Sequence, residues 1–313
     1  MKYRFHLLFG KLSSTYRWGG VYWLMLYVIR LIIHTAYKQH AIEMHYREVV
    51  LGYLTKYYSA VTAEYKRKPH EAPQPLSKDN VIWVCWFQGE ENMPPLVKQC
   101  YKLLLQNSNG HEVVLLTNEN IREYVEIPKE IYDKVDSGKM LLAHFSDILR
   151  MCLLAKYGGL WVDATYWLTR PIEIDGNPFY TLKQDDKEAI HISRGQWACN
   201  CIGAGSNYYV FAFVRDCLID FYLDNNPMKE YFLFDYIFLI AYNSFSDFRD
   251  IIDSMPYRSP DILKVQYSMF EPYKKEVMGR ILKDNVMLKL TYKMDEAKKS
   301  TSCFTIYDYF MSL

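Results

Sequence analysis

No Cys-x-x-Cys pair occurs in this 313-residue chain, although it holds 7 cysteines. An odd, scattered set supports neither a disulfide scaffold nor a zinc site, and reduced thiols in a cytosolic setting are expected. Glycine-rich phosphate loops are missing as well: neither an early GxGxxG nor GxxxxGK[ST] occurs. That argues against a dinucleotide fold with its usual fingerprint and against a P-loop ATPase. Strong net charge is also absent. The 37 Lys plus Arg against 36 Asp plus Glu leave +1, which gives no reason to expect a nucleic-acid partner. Apolar runs stay below the roughly 18 to 20 residues of a spanning helix. The main candidate, VYWLMLYVIRLIIHTAY at 21–37, is interrupted by Arg30 and followed by no small-residue cleavage site, so it is not an ordinary secretory signal.

What is present begins with an asymmetry that the near-neutral total hides. Residues 1–68 carry eleven Lys or Arg against three Glu, a net of +8, so the remainder carries −7. Basic residues beside Trp and Tyr suit the headgroup zone of an anionic membrane, which favours an interfacial helix over 21–37 at the cytoplasmic face. A helix packed on the main domain with its aromatics buried is the equal alternative. Residues 39–65 continue as helix with a stripe of Ile42, Tyr46, Val49, Val50, Leu54 and Tyr57. The proline-rich KRKPHEAPQPLSKDN at 66–80 then reads as a linker. The expected division is an extension over 1–78 and an α/β domain over 79–313.

The centre of that domain is MLLAHFSDILRMCLLAKYGGLWVDATYWLTRP, residues 140–171. Leu141, Leu142, Phe145, Ile148, Leu149, Leu153 and Leu154 recur at helical spacing. Gly158 and Gly159 end the helix, and Leu160 to Val162 read as a short strand with Asp163 at its tip. Such a unit puts its polar end where open α/β sheets bind ligands. Asp147 and Arg150 lie three apart on the helix, either as an ion pair or as a pair aimed at a hydroxyl-rich ligand.

Around it, Val81 to Cys85 predicts the first strand, ending in Trp86 and Gln88. Pro94 and Pro95 open a helix through Leu104, and Glu112 to Thr117 predicts the next strand. Trp197 to Ile202 predicts a strand, with a Gly203 to Ser206 turn that fits either a tight loop or a close approach of backbone to ligand. Asp235 is the one carboxylate of the apolar YFLFDYIFLIAYNSF, costly to bury unless paired or facing a cleft. Lys289, Thr291 and Lys293 alternate in LKLTYK, so an extended chain would turn all three one way, as a diphosphate site or as an exposed lysine edge.

FSDILRMCLLAKYGGLWVDATYWLT resembles the capsular polysaccharide synthesis protein family, relatives of sugar transferases with a DxD element after a YGG turn. The likeness extends to IWVCWFQGEENMPPLVKQC, YFLFDYIFLIAY and LKLTYK. It implies a GT-A-like fold, a central mixed sheet flanked by helices with the basic helical extension before it. It also implies a retaining glycosyltransferase taking a nucleotide sugar, UDP-sugar favoured, to a saccharide or lipid-linked acceptor. Transferred residue by residue, Asp147, Arg150, Asp163 and Asp235 would serve the sugar and acceptor. Trp86 would face the base with Gln88 in support, and Lys289, Thr291 and Lys293 would face the diphosphate. The family's metal, manganese or magnesium, would fall to Asp163 and Thr165, because the motif here is Asp163, Ala164, Thr165. Leu288 stands where relatives commonly carry His. A catalytically silent nucleotide-binding scaffold at the membrane surface, or another enzyme that processes nucleotide sugars, is the alternative.

Overall fold

The computed structural model describes residues 39–184, 191–224, 230–258, 260–293 and 303–313, together with 21, 24, 25, 28 and 228. The interfacial helix expected over 21–37 lies mostly outside the described residues. Among the described residues, no helix is long and apolar enough to cross a membrane.

Two helices come first, α1 (Gln39–Tyr57) and α2 (Ser59–Arg67), then β1 (Ile82–Cys85), α3 (Pro95–Gln106) and β2 (Val113–Leu116). Two short helices, α4 (Ile121–Tyr124) and α5 (Lys129–Asp136), lead to α6 (Leu142–Tyr157) and β3 (Gly159–Val162). β4 (Tyr166–Leu168), β5 (Phe179–Thr181) and β6 (Cys201–Ala204) follow, then α7 (Tyr209–Leu223), α8 (Leu233–Ser244) and α9 (Ser246–Ser254). The chain closes with α10 (Lys264–Tyr267), α11 (Lys275–Asp284), β7 (Met287–Lys289) and α12 (Ile306–Ser312).

Five strands form a mixed sheet in the order β2-β1-β3-β6-β5. β1 is parallel to β2 and β3, whereas β6 runs antiparallel to both β3 and β5. The strands read as nearly unbroken apolar runs because both faces are covered, as parallel sheets require. Their two-residue period divides the core. Trp83, Trp161, Ile202 and Phe179 face the layer of α6, α7 and α8, and Ile82, Val84, Leu160, Val162 and Tyr180 pack on the side of α3.

The extension shares this core: Tyr46, Val50, Leu54, Tyr58 and Tyr65 are buried in the α6–α8 layer. Tyr58 donates to the Cys217 carbonyl at 3.1 Å. The proline-rich stretch is tied down too, since Leu76 N–H donates to the Asn177 carbonyl and Gly176 N–H to that of Leu76.

The Gly-Gly turn has a steric cause. Gly158 and Gly159 hold φ of 67° and 92°, a region L side chains avoid. A Cβ on Gly159 would collide with the Val81 carbonyl oxygen, and one on Gly158 with Ser206 N. The helix therefore stops there, and β3 enters beside β1 with no room for a side chain.

Three local expectations are corrected. The apolar stripe of α6 begins at Phe145, because Leu141 and Leu142 are exposed in the helix's opening turn. The strand expected from Trp197 starts only at Cys201, where pairing with Val162 becomes possible. Residues before it are held by side chains instead: Thr181 Oγ1 accepts from Ala198 N–H at 2.9 Å. Gly203 and Ala204, expected in a turn, lie inside β6, where a Cβ on Gly203 would meet the Gly159 carbonyl. The close approach is thus to another strand.

Candidate active site

Asp163 follows β3 at the C-terminal edge of the parallel strands, and its N–H donates to the Asn200 carbonyl at 3.0 Å. The carboxylate is the meeting point of three nitrogen groups. Lys289 Nζ donates to Oδ2 at 2.7 Å, Trp161 Nε1 donates to Oδ1 at 2.8 Å, and Arg150 Nη2 lies 3.6 Å from Oδ1. Lys289 arrives through β7, which pairs antiparallel with β4 so that Lys289 stands opposite Tyr166. Its ammonium lies 5.1 Å from the Tyr166 ring centroid. Burial works against ionisation of Asp163, but Lys289, Arg150 and the hydrogen bonds outweigh it and hold the carboxyl below its ordinary range.

Arg150 is the buried hub. Its side chain is 5% exposed, and its guanidinium carbon lies 4.9 Å from the Trp161 ring centroid and 5.2 Å from that of Phe234. Nη1 donates to the Cys199 carbonyl at 2.5 Å, and Nη2 lies 3.4 Å from Asp147 Oδ1. Burial opposes its charge, yet Asp147 and Asp163 raise its basicity further. Its Nε is buried without a hydrogen-bond partner. Asp147 responds in the other direction: burial, with Asp235 and Asp163 nearby, overrides Arg150 and pushes its carboxyl up to about 7.

Asp235, 3% exposed, accepts from Trp197 Nε1 and from the Cys199 thiol, both at 3.3 Å. Burial and the neighbouring carboxylate keep that thiol protonated by pushing it well above its usual range. Asp235 therefore anchors residues 197–199, and Cys199 in turn presents the carbonyl that holds Arg150.

Asp147, Arg150, Asp163, Asp235 and Lys289 all line one cavity of about 510 Å³, within the range of small-molecule sites. Ser146, Gln184, His191 and Ser193 add hydrogen-bonding groups, and Tyr231, Phe232 and Tyr267 add aromatic surface. Tyr267 is 81% exposed and Tyr231 55%, so rings stand open at the mouth.

Other expected residues do not line this cavity. Trp86 packs edge-on against Tyr292, with centroids 5.2 Å apart, and donates to the Asn92 carbonyl. Gln88 is exposed and accepts through its backbone carbonyl from Asn92. Thr291 and Lys293 leave the expected alternation because β7 ends at Lys289. Thr291 Oγ1 accepts from Lys293 N–H, and Lys293 is exposed with its ammonium near the Tyr292 ring. Leu288 is fully buried among Leu96, Trp167 and Phe310, away from the cavity lining.

Of Asp163 and Thr165, the two residues expected to share the metal, only Asp163 lines the cavity. Thr165 is buried off the cavity lining, and both Asp163 oxygens already accept N–H donors. Among the described residues, no group of three His, Cys, Asp or Glu could hold an ion. The donor set does not suit a hard divalent cation, which takes several oxygen ligands.

Sequence reasoning overlooked Trp161, Trp197 and Cys199. Trp161 had a signal, two positions before Asp163 on the short strand. Cys199 acts through its backbone carbonyl and thiol and has none.

The profile of the family described as "Capsular polysaccharide synthesis protein" matches residues 30–310. The chain belongs to that family. It is 29% identical over 108 residues to "O-glycosyltransferase braB" of Annulohypoxylon truncatum, a match covering 32% of this chain and 26% of the relative. A similar match, 28% over 109 residues, is to "O-glycosyltransferase PaGT" of Phomopsis amygdali, covering 32% and 27%. The alignment thus spans about a quarter of each curated relative's length. Among solved structures, "PaToxG Glycosyltransferase" aligns with a TM-score of 0.40 at 13% identity, covering 85% of this chain and 95% of that one.

Proposed function

We propose that this capsular polysaccharide synthesis family protein is a GT-A-like glycosyltransferase. It moves a sugar from a nucleotide sugar, UDP-sugar favoured, to a hydroxyl of a saccharide or lipid-linked acceptor, with retention at the anomeric carbon. The observation that carries this reading is the Lys289–Asp163–Arg150 cluster in the cavity wall at the tip of β3. One carboxylate is fixed between two cations, beside a second carboxylate on the same helix as Arg150. Such a set suits a substrate with both hydroxyls and phosphates.

In the transfer, the bond from the anomeric carbon to the diphosphate oxygen breaks, and a bond to the acceptor oxygen forms on the same face. The acceptor's proton passes to the departing diphosphate. Charge develops as positive at the sugar and negative on the leaving group, and preorganised charges of opposite sign lower that barrier. Asp163 and Asp147 orient the sugar hydroxyls, while Lys289 and Arg150 face the diphosphate. Asp235 acts at one remove, by holding the Cys199 carbonyl on Arg150. No protein nucleophile is assigned. The +8 charge of residues 1–68 supports attachment at the cytoplasmic membrane face, close to a lipid-linked acceptor.

A thermal-shift screen of UDP-, GDP- and CMP-sugars tests donor binding, since a ligand bound to the folded state raises the unfolding temperature. A concentration-dependent rise with one nucleotide class is expected. No shift with any of them at saturating concentration contradicts the proposal.

A further inference from the structure

We propose that the Lys289 ammonium, backed by Arg150, takes the place of the divalent cation that sugar transferases with a DxD motif use, so that the nucleotide donor binds without metal. The inference rests on the nucleotide-sugar reading of this site.

Three observations carry it. First, the acidic group that should hold the ion is already committed. Asp163 Oδ2 accepts from Lys289 at 2.7 Å and Oδ1 from Trp161 at 2.8 Å, with Arg150 Nη2 at 3.6 Å. A metal bound here would have to displace an ammonium and sit beside a guanidinium, and like charges at that range repel.

Second, no other oxygen set in the motif replaces Asp163. Thr165 is buried, and its carbonyl accepts from Leu290 N–H at 3.0 Å as part of the β4–β7 junction. Asp147 faces Arg150 at 3.4 Å, and Asp235 accepts through Oδ1 from both Trp197 and Cys199.

Third, Lys289 is placed by backbone pairing. It lies in β7 opposite Tyr166, its N–H donates to the Ile262 carbonyl at 2.9 Å, and its side chain is 14% exposed. A strand-borne ammonium at the cavity wall is a fixed point charge, the property a diphosphate needs from its counterion. Arg150 keeps a buried Nε without a partner, so not all of its donors are used.

The test is calorimetric titration of UDP and GDP into the full-length protein, in EDTA and again with excess manganese. The expected result is that one nucleotide binds in EDTA, with an affinity within about twofold of that in manganese. Lys289→Met, which keeps the apolar stem, should weaken binding in EDTA by roughly tenfold or more. Independently, the electron paramagnetic resonance signal of free manganese should be undiminished by the apo-protein. Binding only when manganese is added overturns the inference while leaving the transferase reading intact. Unchanged affinity of a folded Lys289→Met in EDTA also overturns it. Absence of binding by either nucleotide in both buffers refutes the nucleotide-sugar reading, and this inference falls with it.

Discussion

Asp163 and Lys289 are separated by 126 residues along the chain, yet their charged atoms are 2.7 Å apart. The first stands at the end of a central strand. The second is delivered by a two-stranded ribbon outside the main sheet, at a register that sets it opposite Tyr166. The site is therefore assembled only when the C-terminal segment has docked.

Arg150 should be the residue whose loss harms the fold most within the site. Removing a buried partner leaves the other charge uncompensated, typically at a cost of about 3 to 5 kcal/mol. Arg150→Ala takes the guanidinium away from both Asp163 and Asp147 and leaves the Cys199 carbonyl without its donor. Urea unfolding should show a midpoint well below that of the parent protein. Arg150→Lys should rescue only part, since an ammonium cannot span Cys199 and both carboxylates while lying between two rings.

Stability should fall as pH rises toward neutrality, and Asp147 should be a principal cause. Its carboxyl binds a proton in the fold up to about 7, whereas an unfolded Asp loses it near about 3.9. Between those values the folded state holds more protons, so raising pH favours unfolding. Asp147→Asn should flatten the dependence of melting temperature on pH from the acid side through neutrality. An equal slope in both proteins would place the titration elsewhere.

Asp235→Ala should act on turnover more than on donor binding. It removes the acceptor for Trp197 N–H and the Cys199 thiol, and stranding buried donors costs about 1 to 3 kcal/mol of stability. The Cys199 carbonyl then loses its fixed position on Arg150. Steady-state kinetics should show kcat reduced several-fold further than KM is raised. A change in KM alone would make Asp235 a donor-binding residue.

Membrane attachment should depend on the basic first segment. A truncation at residue 78 cannot test this, because Tyr58 and Tyr65 belong to the buried core. The combined variant Lys2→Gln, Arg4→Gln, Lys11→Gln and Arg17→Gln removes four of the eleven positive charges of residues 1–68. Each such residue near an anionic surface contributes about 1 kcal/mol, so co-sedimentation with phosphatidylserine vesicles should be largely lost and should weaken with salt in the parent. Undiminished sedimentation of the variant would remove the electrostatic attachment.

The sequence carried the helix, the Gly-Gly turn and β3 because each has a local cause: helical spacing from Phe145 onward, two positions that exclude a Cβ, and a strand apolar on both faces. It also marked Asp147, Arg150 and Asp163 as one group, since all three belong to a single α/β unit. Lys289 was recognisable as a phosphate-facing candidate, but its grip on Asp163 was not, because strand register across 126 residues leaves no short-range trace. Thr291 and Lys293 were misassigned to the same face because alternation assumes that the strand continues, and β7 ends at Lys289. The role of Cys199 escaped for a different reason: backbone carbonyls carry no residue code.

The most direct test is product analysis. Full-length protein, the nucleotide sugar that raises its melting temperature and a panel of saccharide and lipid-linked acceptors would be examined by mass spectrometry, with NMR of the new linkage. A glycoside with the donor's anomeric configuration is predicted, and folded Asp163→Ala should form it at least about a hundredfold more slowly. Release of free sugar with no acceptor product, or undiminished transfer by Asp163→Ala, would contradict the account.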